Sequence, residues 1–151
     1  MEKEMRSKIK QLVDATNVID HAYFVKSRSM AVKPNIVVLL YALANDETLS
    51  QNKLHNDWLL PLSTINTIVK ECRNNGYITL SPIPGKRREC YLRFTEKGRT
   101  FADALLAEIH QAEEKAMRET MERFSPEFTQ ALDFYAKTFH TALNHEREKN
   151  D

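Results

Sequence analysis

Glycine is nearly absent from this chain: three occur in 151 residues, at Gly76, Gly85 and Gly98. A P-loop or a dinucleotide-binding turn needs glycines clustered so that backbone N–H groups can close on a phosphate, and neither pattern is present. Cysteine is as scarce. Cys72 and Cys90 make no Cys-x-x-Cys pair, and two thiols without a close partner suit a reducing cytoplasm. There is no His-Glu-x-x-His. The histidines His21, His55, His110, His140 and His145 are scattered and read as surface residues, not as metal ligands. No apolar run approaches the ~20 residues of a membrane span, and the first residues are charged, unlike a signal peptide. No repeat or low-complexity linker interrupts the chain. A single dominant sign of charge is missing too: 22 Lys and Arg stand against 21 Asp and Glu, which excludes a uniformly basic, histone-like binder. These absences leave no catalytic constellation. The expectation is a non-enzyme with no cofactor and no metal.

What is present is segregated charge. Residues 50–99 hold nine Lys and Arg against four Asp and Glu, whereas residues 100–151 hold six against eleven. A basic centre beside an acidic tail segment suits a protein that turns one face toward a polyanion. The length predicts one domain with room for a real core.

Helical periodicity dominates. Ile9, Leu12, Val13, Thr16, Ile19, Tyr23 and Phe24 sit mostly at helical spacing. Pro34 suits a helix first turn, and Ile36 to Ala44 is apolar enough to be buried all round. After Gly98 a long helix carries Phe101, Leu105, Ile109, Ala112, Ala116, Met117 and Met121; reaching Phe124 it would span about 40 Å at the standard rise. Ser125-Pro126-Glu127 supplies an N-cap, a first-position proline and an early acid. A last helix follows with Phe128, Ala131, Leu132, Tyr135, Phe139, Ala142 and Leu143 on one face.

The most specific stretch lies between them. Pro61 is suited to open a helix, and Gly76 after Asn74-Asn75 is suited to stop it in the left-handed conformation. Ile65, Ile68, Val69 and Cys72 form its apolar face. The opposite face carries Ser63, Thr67, Lys70 and Asn74, flanked by Thr64 and Asn66. These short hydroxyl, amide and amine groups can meet base edges without filling a groove. Next, Tyr77-Ile78-Thr79-Leu80 alternates as a strand and Ser81-Pro82-Ile83-Pro84-Gly85 has the composition of a turn. Lys86-Arg87-Arg88 follows at the tip. Cys90, Leu92 and Phe94 then alternate with Glu89, Tyr91 and Arg93 as a returning strand with one buried face. Two short helices, a ribbon with a basic tip and a long helix make a winged helix-turn-helix. Its three tip cations suit phosphates or a minor groove. Cys72 and Cys90 both project onto apolar faces, where thiols are usually inert, so neither is expected to sense oxidants.

Leu49 to Gly98 resembles the DNA-binding core of the MarR-type transcriptional regulators. The matching pieces are Leu49-Ser50 and Leu54, then Leu60-Pro61-Leu62-Ser63-Thr64-Ile65-Asn66-Thr67, Gly76-Tyr77-Ile78, and Phe94-Thr95-Glu96-Lys97-Gly98. Arg88 matches the family's wing arginine. Lys86 stands where the family has an acid that orients that arginine, and Phe94 replaces the usual leucine.

The resemblance implies one mostly α domain over 1–151 with a small β-ribbon. Within it, 30–99 would be the winged helix-turn-helix core, and 1–29 and 99–145 dimerisation helices. It implies a cytoplasmic homodimer that binds a pseudo-palindromic double-stranded operator through Ser63, Thr64, Asn66, Thr67, Lys70, Lys86, Arg87 and Arg88. Repression released by a small-molecule effector is the implied mode. His21, Tyr23 and Tyr41, each with an apolar body and a polar tip, are the candidates for the effector pocket. A winged helix serving as a protein-interaction module, or a regulator without effector control, is the alternative.

Overall fold

After the first helix, each helix in the first half of the chain starts or stops at a local signal. The computed structural model describes residues 2–147, and side chains as far as residue 144. Helix α1 is Lys3–Ser29 and α2 is Pro34–Asn45, with the proline in its first turn. Helix α3 is Gln51–Trp58; the Ser50 hydroxyl caps it by accepting from the Lys53 amide at 3.2 Å. Leu59 closes α3 at φ +54°, a left-handed conformation that costs a leucine about 1 kcal/mol or more. Helix α4 is Leu62–Asn74. Pro61 precedes it as the N-cap, one position earlier than the sequence suggested, and its carbonyl accepts from the Ile65 amide at 3.0 Å. Gly76, at φ +71°, ends α4. Its N–H donates to the Arg73 carbonyl and that of Tyr77 to the Cys72 carbonyl, both at 2.9 Å, the paired bonds of a Schellman closure.

Strands β1 (Ile78–Pro82) and β2 (Cys90–Phe94) pair antiparallel, Ile78 opposite Phe94 and Pro82 opposite Cys90. Ser81 and Pro82, expected in the turn, are strand residues instead. The ladder tolerates Pro82 because it sits at the strand's end, where a missing N–H breaks no interior rung. The turn is Ile83–Lys86: the Lys86 amide donates to the Ile83 carbonyl at 3.1 Å. Pro84 and Gly85, the latter at φ +78°, fill its two central positions as a type II turn requires. The Leu92 amide also donates to the Leu49 carbonyl at 2.9 Å, and Ser50 bridges Tyr91. The segment before α3 thereby adds a short rung to the wing.

Helix α5 is Glu96–Arg123 and α6 is Phe128–Arg147. A turn at Pro126-Glu127 precedes α6, so the proline stands before the helix rather than in its first position. Among the described residues, no helix is long and apolar enough to cross a membrane.

The chain divides into two compact units, Met1–Ile109 and His110–Asp151. The first holds the core. Helix α2 buries Ile36, Val37, Leu39, Leu40, Ala42 and Leu43, and leaves Val38 and Tyr41 half-buried. Against it lie Leu54, Ile65, Ile68, Val69, Cys72, Ile78, Leu92, Ala102 and Leu106. This one cluster joins both helices of the helix-turn-helix to the wing, so α4 presents a fixed outer face. In the second unit no described side chain of α6 is buried, and Phe134, Phe139 and Leu143 are more than half exposed.

Candidate nucleic-acid interface

The face that α4 turns outward follows from the face it buries. Ile65 and Cys72 are fully buried and Ile68 and Val69 nearly so, which leaves Ser63, Asn66, Thr67, Lys70, Arg73 and Asn74 exposed. Thr64 is half-buried at the edge of this face. The Thr67 hydroxyl donates to the Ser63 carbonyl at 2.9 Å. Its proton is thus engaged, and it offers an acceptor and a methyl group outward. The Asn66 side-chain oxygen accepts from the Gln51 amide at 3.2 Å, which leaves the Asn66 NH₂ to donate. An acceptor and a donor one residue apart can discriminate base edges in a major groove.

A groove of about 780 Å³ runs beside this helix, lined by Gln51, Asn66, Lys70, Arg73, Asn74 and Thr79. Two of these residues escaped the sequence reading. Arg73 lies seven positions after Asn66 and three after Lys70, a spacing that places all three along one helical edge. Gln51 is the first residue of α3, and nothing local signals that it meets α4.

At the wing, Lys86, Arg87 and Arg88 are all exposed, but they are not equivalent. The Lys86 ammonium lies 2.6 Å from Glu89, whereas Arg87 and Arg88 have no ion-pair partner among the described residues. Lys33 and Lys53 are likewise paired, with Glu71 at 2.8 Å and Asp46 at 2.5 Å. Among the described residues, Lys70, Arg73, Arg87, Arg88 and Arg93 are the cations of α4 and the wing without an ion-pair partner, and Arg93 is turned to the Glu47 carbonyl and the Tyr91 ring.

A second feature is an apolar cavity of about 580 Å³ at the α1–α2 junction, lined by residues that include Tyr23, Phe24, Val37, Val38, Tyr41 and Trp58. The rings of Tyr23 and Tyr41 meet edge to face at 5.9 Å, and Tyr41 meets Trp58 at 5.8 Å. The structure thus brings two of the three expected pocket residues together. His21 does not line the cavity and is exposed on α1. Trp58, the only tryptophan, was missed because it closes α3, seventeen residues from Tyr41 in sequence.

Cys72 is buried, and desolvation, followed by the neighbouring Glu71 charge, pushes its thiol up to about 11. Cys90 is only half-buried, contrary to the expectation for both. Alternation sets which face of β2 it occupies, but this end of the ribbon lies beyond the core. Among the described residues no group of three His, Cys, Asp or Glu could hold a metal; the His145 side chain lies outside them.

No family model matches the chain, and no curated protein does. Solved structures do. A MarR family regulator from Neisseria meningitidis superposes with a TM-score of 0.73 at 21% identity, over 92% of this chain and 98% of that one. A Staphylococcus aureus MarR in complex with salicylate and kanamycin superposes at 0.61 and 13% identity, over 96% and 95%. FabT of Streptococcus pneumoniae, in complex with DNA, does so at 0.52 and 17% identity, over 95% and 97%. The architecture is a winged helix. More narrowly, it is the MarR-type winged-helix fold, with six helices and a two-stranded ribbon among the described residues.

Proposed function

We propose that this chain is a cytoplasmic, homodimeric transcriptional regulator that binds a pseudo-palindromic operator and represses transcription until a small molecule releases it. The observation that carries the DNA-binding part is the separation of roles between the outer face of α4 and the wing tip. Short polar groups of α4, namely Ser63, Asn66 and Thr67, face outward, Lys70 and Arg73 are exposed on the same helix, and Arg87 and Arg88 are exposed at the wing tip. Base edges need the short polar groups and phosphates the cations. Thr64 stands at the rim. The DNA complex formed by FabT, a protein of the same fold, agrees with this reading. Salicylate binding by the Staphylococcus aureus protein and the apolar cavity bounded by Tyr23, Tyr41 and Trp58 support an effector. A planar, largely apolar molecule fits the edge-to-face rings.

The test is a fluorescence-anisotropy titration over a salt series, using the DNA upstream of the protein's own coding sequence and a scrambled duplex. Arg88→Ala is expected to weaken binding to both and to flatten the salt dependence. Thr67→Ala and Asn66→Ala are expected to narrow the gap between the two duplexes, at about 1–3 kcal/mol per lost base contact. If Arg88→Ala changes neither affinity nor salt slope while Thr67→Ala abolishes all binding equally, the division of roles is wrong.

A further inference from the structure

Glu89 is the one acid among the wing's cations, and both of its carboxylate oxygens are engaged. One accepts from the Lys86 ammonium at 2.6 Å and the other from the Ser50 hydroxyl at 2.8 Å. Ser50 is only 3% exposed. Its oxygen also accepts from the Lys53 amide as the cap of α3, so a single hydroxyl ties the helix start to the wing. The Glu89 side chain is 18% exposed against 58% for Lys86, so the acid is sheltered and the lysine reaches in to it. Lys86, and then Ser50, hold the Glu89 carboxyl below the ordinary carboxylate range; it stays ionised and keeps the lysine paired. The Ile83 amide donates to the Glu89 carbonyl at 3.3 Å, so backbone and side chain of Glu89 grip opposite sides of the tip.

We propose that Glu89 is a positioning residue: it clasps the wing to the amino end of α3 and withholds Lys86 from nucleic acid, leaving Arg87 and Arg88 as the tip's phosphate contacts. This inference rests on the DNA-binding reading for its consequence, not for its geometry. A two-stranded ribbon is marginally stable by itself, and its tip can pivot on the ladder. The rung from Leu92 to Leu49 fixes the base of the wing, and the Glu89–Ser50 bond fixes it nearer the tip. The acid that steadies the wing thus stands three residues after Lys86. The turn brings the two together, because the Ile83–Lys86 reversal is followed directly by the return of the chain.

The experiment uses the full chain in two arms. In the first, binding to a labelled random-sequence duplex is followed over a salt series. Lys86→Ala is expected to leave the slope of log affinity against log salt unchanged, whereas Arg88→Ala lowers it by up to about 0.9 per copy of the chain. Glu89→Gln keeps an acceptor for Ser50 but gives up the charge. It is expected to free Lys86 and steepen the slope by up to about 0.9 per copy. A Lys86→Ala slope as reduced as that of Arg88→Ala, or a Glu89→Gln slope equal to wild type, overturns the withholding of Lys86. The second arm needs no DNA. Amide exchange at Ile83 and Lys86 is expected to quicken roughly tenfold in Glu89→Ala, the change typical of one lost hydrogen bond, and to recover in Glu89→Gln. Unchanged exchange in Glu89→Ala overturns the clasp. Wild-type protein that binds no duplex at any salt would refute the DNA-binding reading, and the exchange arm would still decide the clasp.

Discussion

Gly98 packs directly on the carbonyl of Tyr77: a methyl group added at Gly98 would stand 1.7 Å from that oxygen and 2.5 Å from its carbon. The contact sits where α5 leaves the wing. There the Thr95 hydroxyl accepts from the Gly98 amide at 2.9 Å and donates to the Gly76 carbonyl at 2.6 Å. The Thr95 amide donates to Tyr77 at 3.0 Å, and the Tyr77 ring stacks on Phe101 at 4.4 Å. The end of α4 and the start of α5 are thus locked to each other, and the atoms that a Gly98 methyl would meet are backbone, which leaves no flexible side chain to yield.

Gly98→Ala is therefore expected to destabilise the protein by about 3 kcal/mol, at the upper end of overpacking costs. Gly76→Ala meets no atom within 4 Å and suffers only its positive φ, about 1 kcal/mol. Urea denaturation at constant m-value compares them. A Gly98→Ala midpoint no lower than that of Gly76→Ala would show that the close approach is not a constraint.

Asp46 should give the stability curve an acid limb. It accepts from Lys53 and from the Thr48 hydroxyl and amide, the latter two at 2.7 and 2.8 Å, and these bonds, that from Lys53 foremost, lower its carboxyl from 3.8 to about 2. A depressed folded-state value means a contribution fully present above pH 3.8 and lost as the pH falls through about 2. Asp46→Asn is expected to be less stable than wild type at pH 6 and to lose most of that deficit by pH 2. A deficit of the same size at both pH values would mean the carboxylate charge is not responsible.

The two thiols should react in order. With its thiol raised to about 11 and its side chain buried, Cys72 is almost wholly protonated at neutral pH and sheltered from reagent. Cys90 is partly open. Iodoacetamide labelling followed by mass spectrometry is expected to modify Cys90 first, with Cys72 reacting only on unfolding. Oxidation through Cys72 is accordingly not expected to control DNA binding. Prior or equal modification of Cys72 in the folded protein contradicts its inertness.

The apolar face of α6 calls for an assembly. Phe139 and Leu143 are each 53% exposed and Leu132 is 40% exposed, more than a solvated helix ordinarily shows as one group. Light scattering at micromolar concentration is expected to give twice the chain mass. Truncation after Phe124, or Phe139→Asp with Leu143→Asp, is expected to give monomer or aggregate. A folded, soluble monomer of the full chain would remove the homodimer from the proposal.

Much of this protein follows from local chemistry. The 3.6-residue spacing of Ile65, Ile68, Val69 and Cys72 decided which side of α4 is buried, and hence that Ser63, Asn66, Thr67 and Lys70 face out. Gly76 and Gly85 marked two of the three places among the described residues where the chain turns through positive φ, Leu59 being the third, and Phe94-Thr95-Glu96-Lys97-Gly98 marked the start of α5. Periodicity and backbone preference are properties of neighbouring residues, so one sequence displays them. Tertiary structure decided the rest, because it concerns residues distant in the chain. Gly98 is required by Tyr77, twenty-one positions away. Trp58 meets Tyr41 because α3 folds back toward α2. Gln51 reaches Asn66 across the helix-turn-helix. Three adjacent cations look equivalent in sequence; the fold carries Ser50 to Glu89, shelters that carboxylate and pairs it with Lys86, leaving only Arg87 and Arg88 uncompensated at the tip.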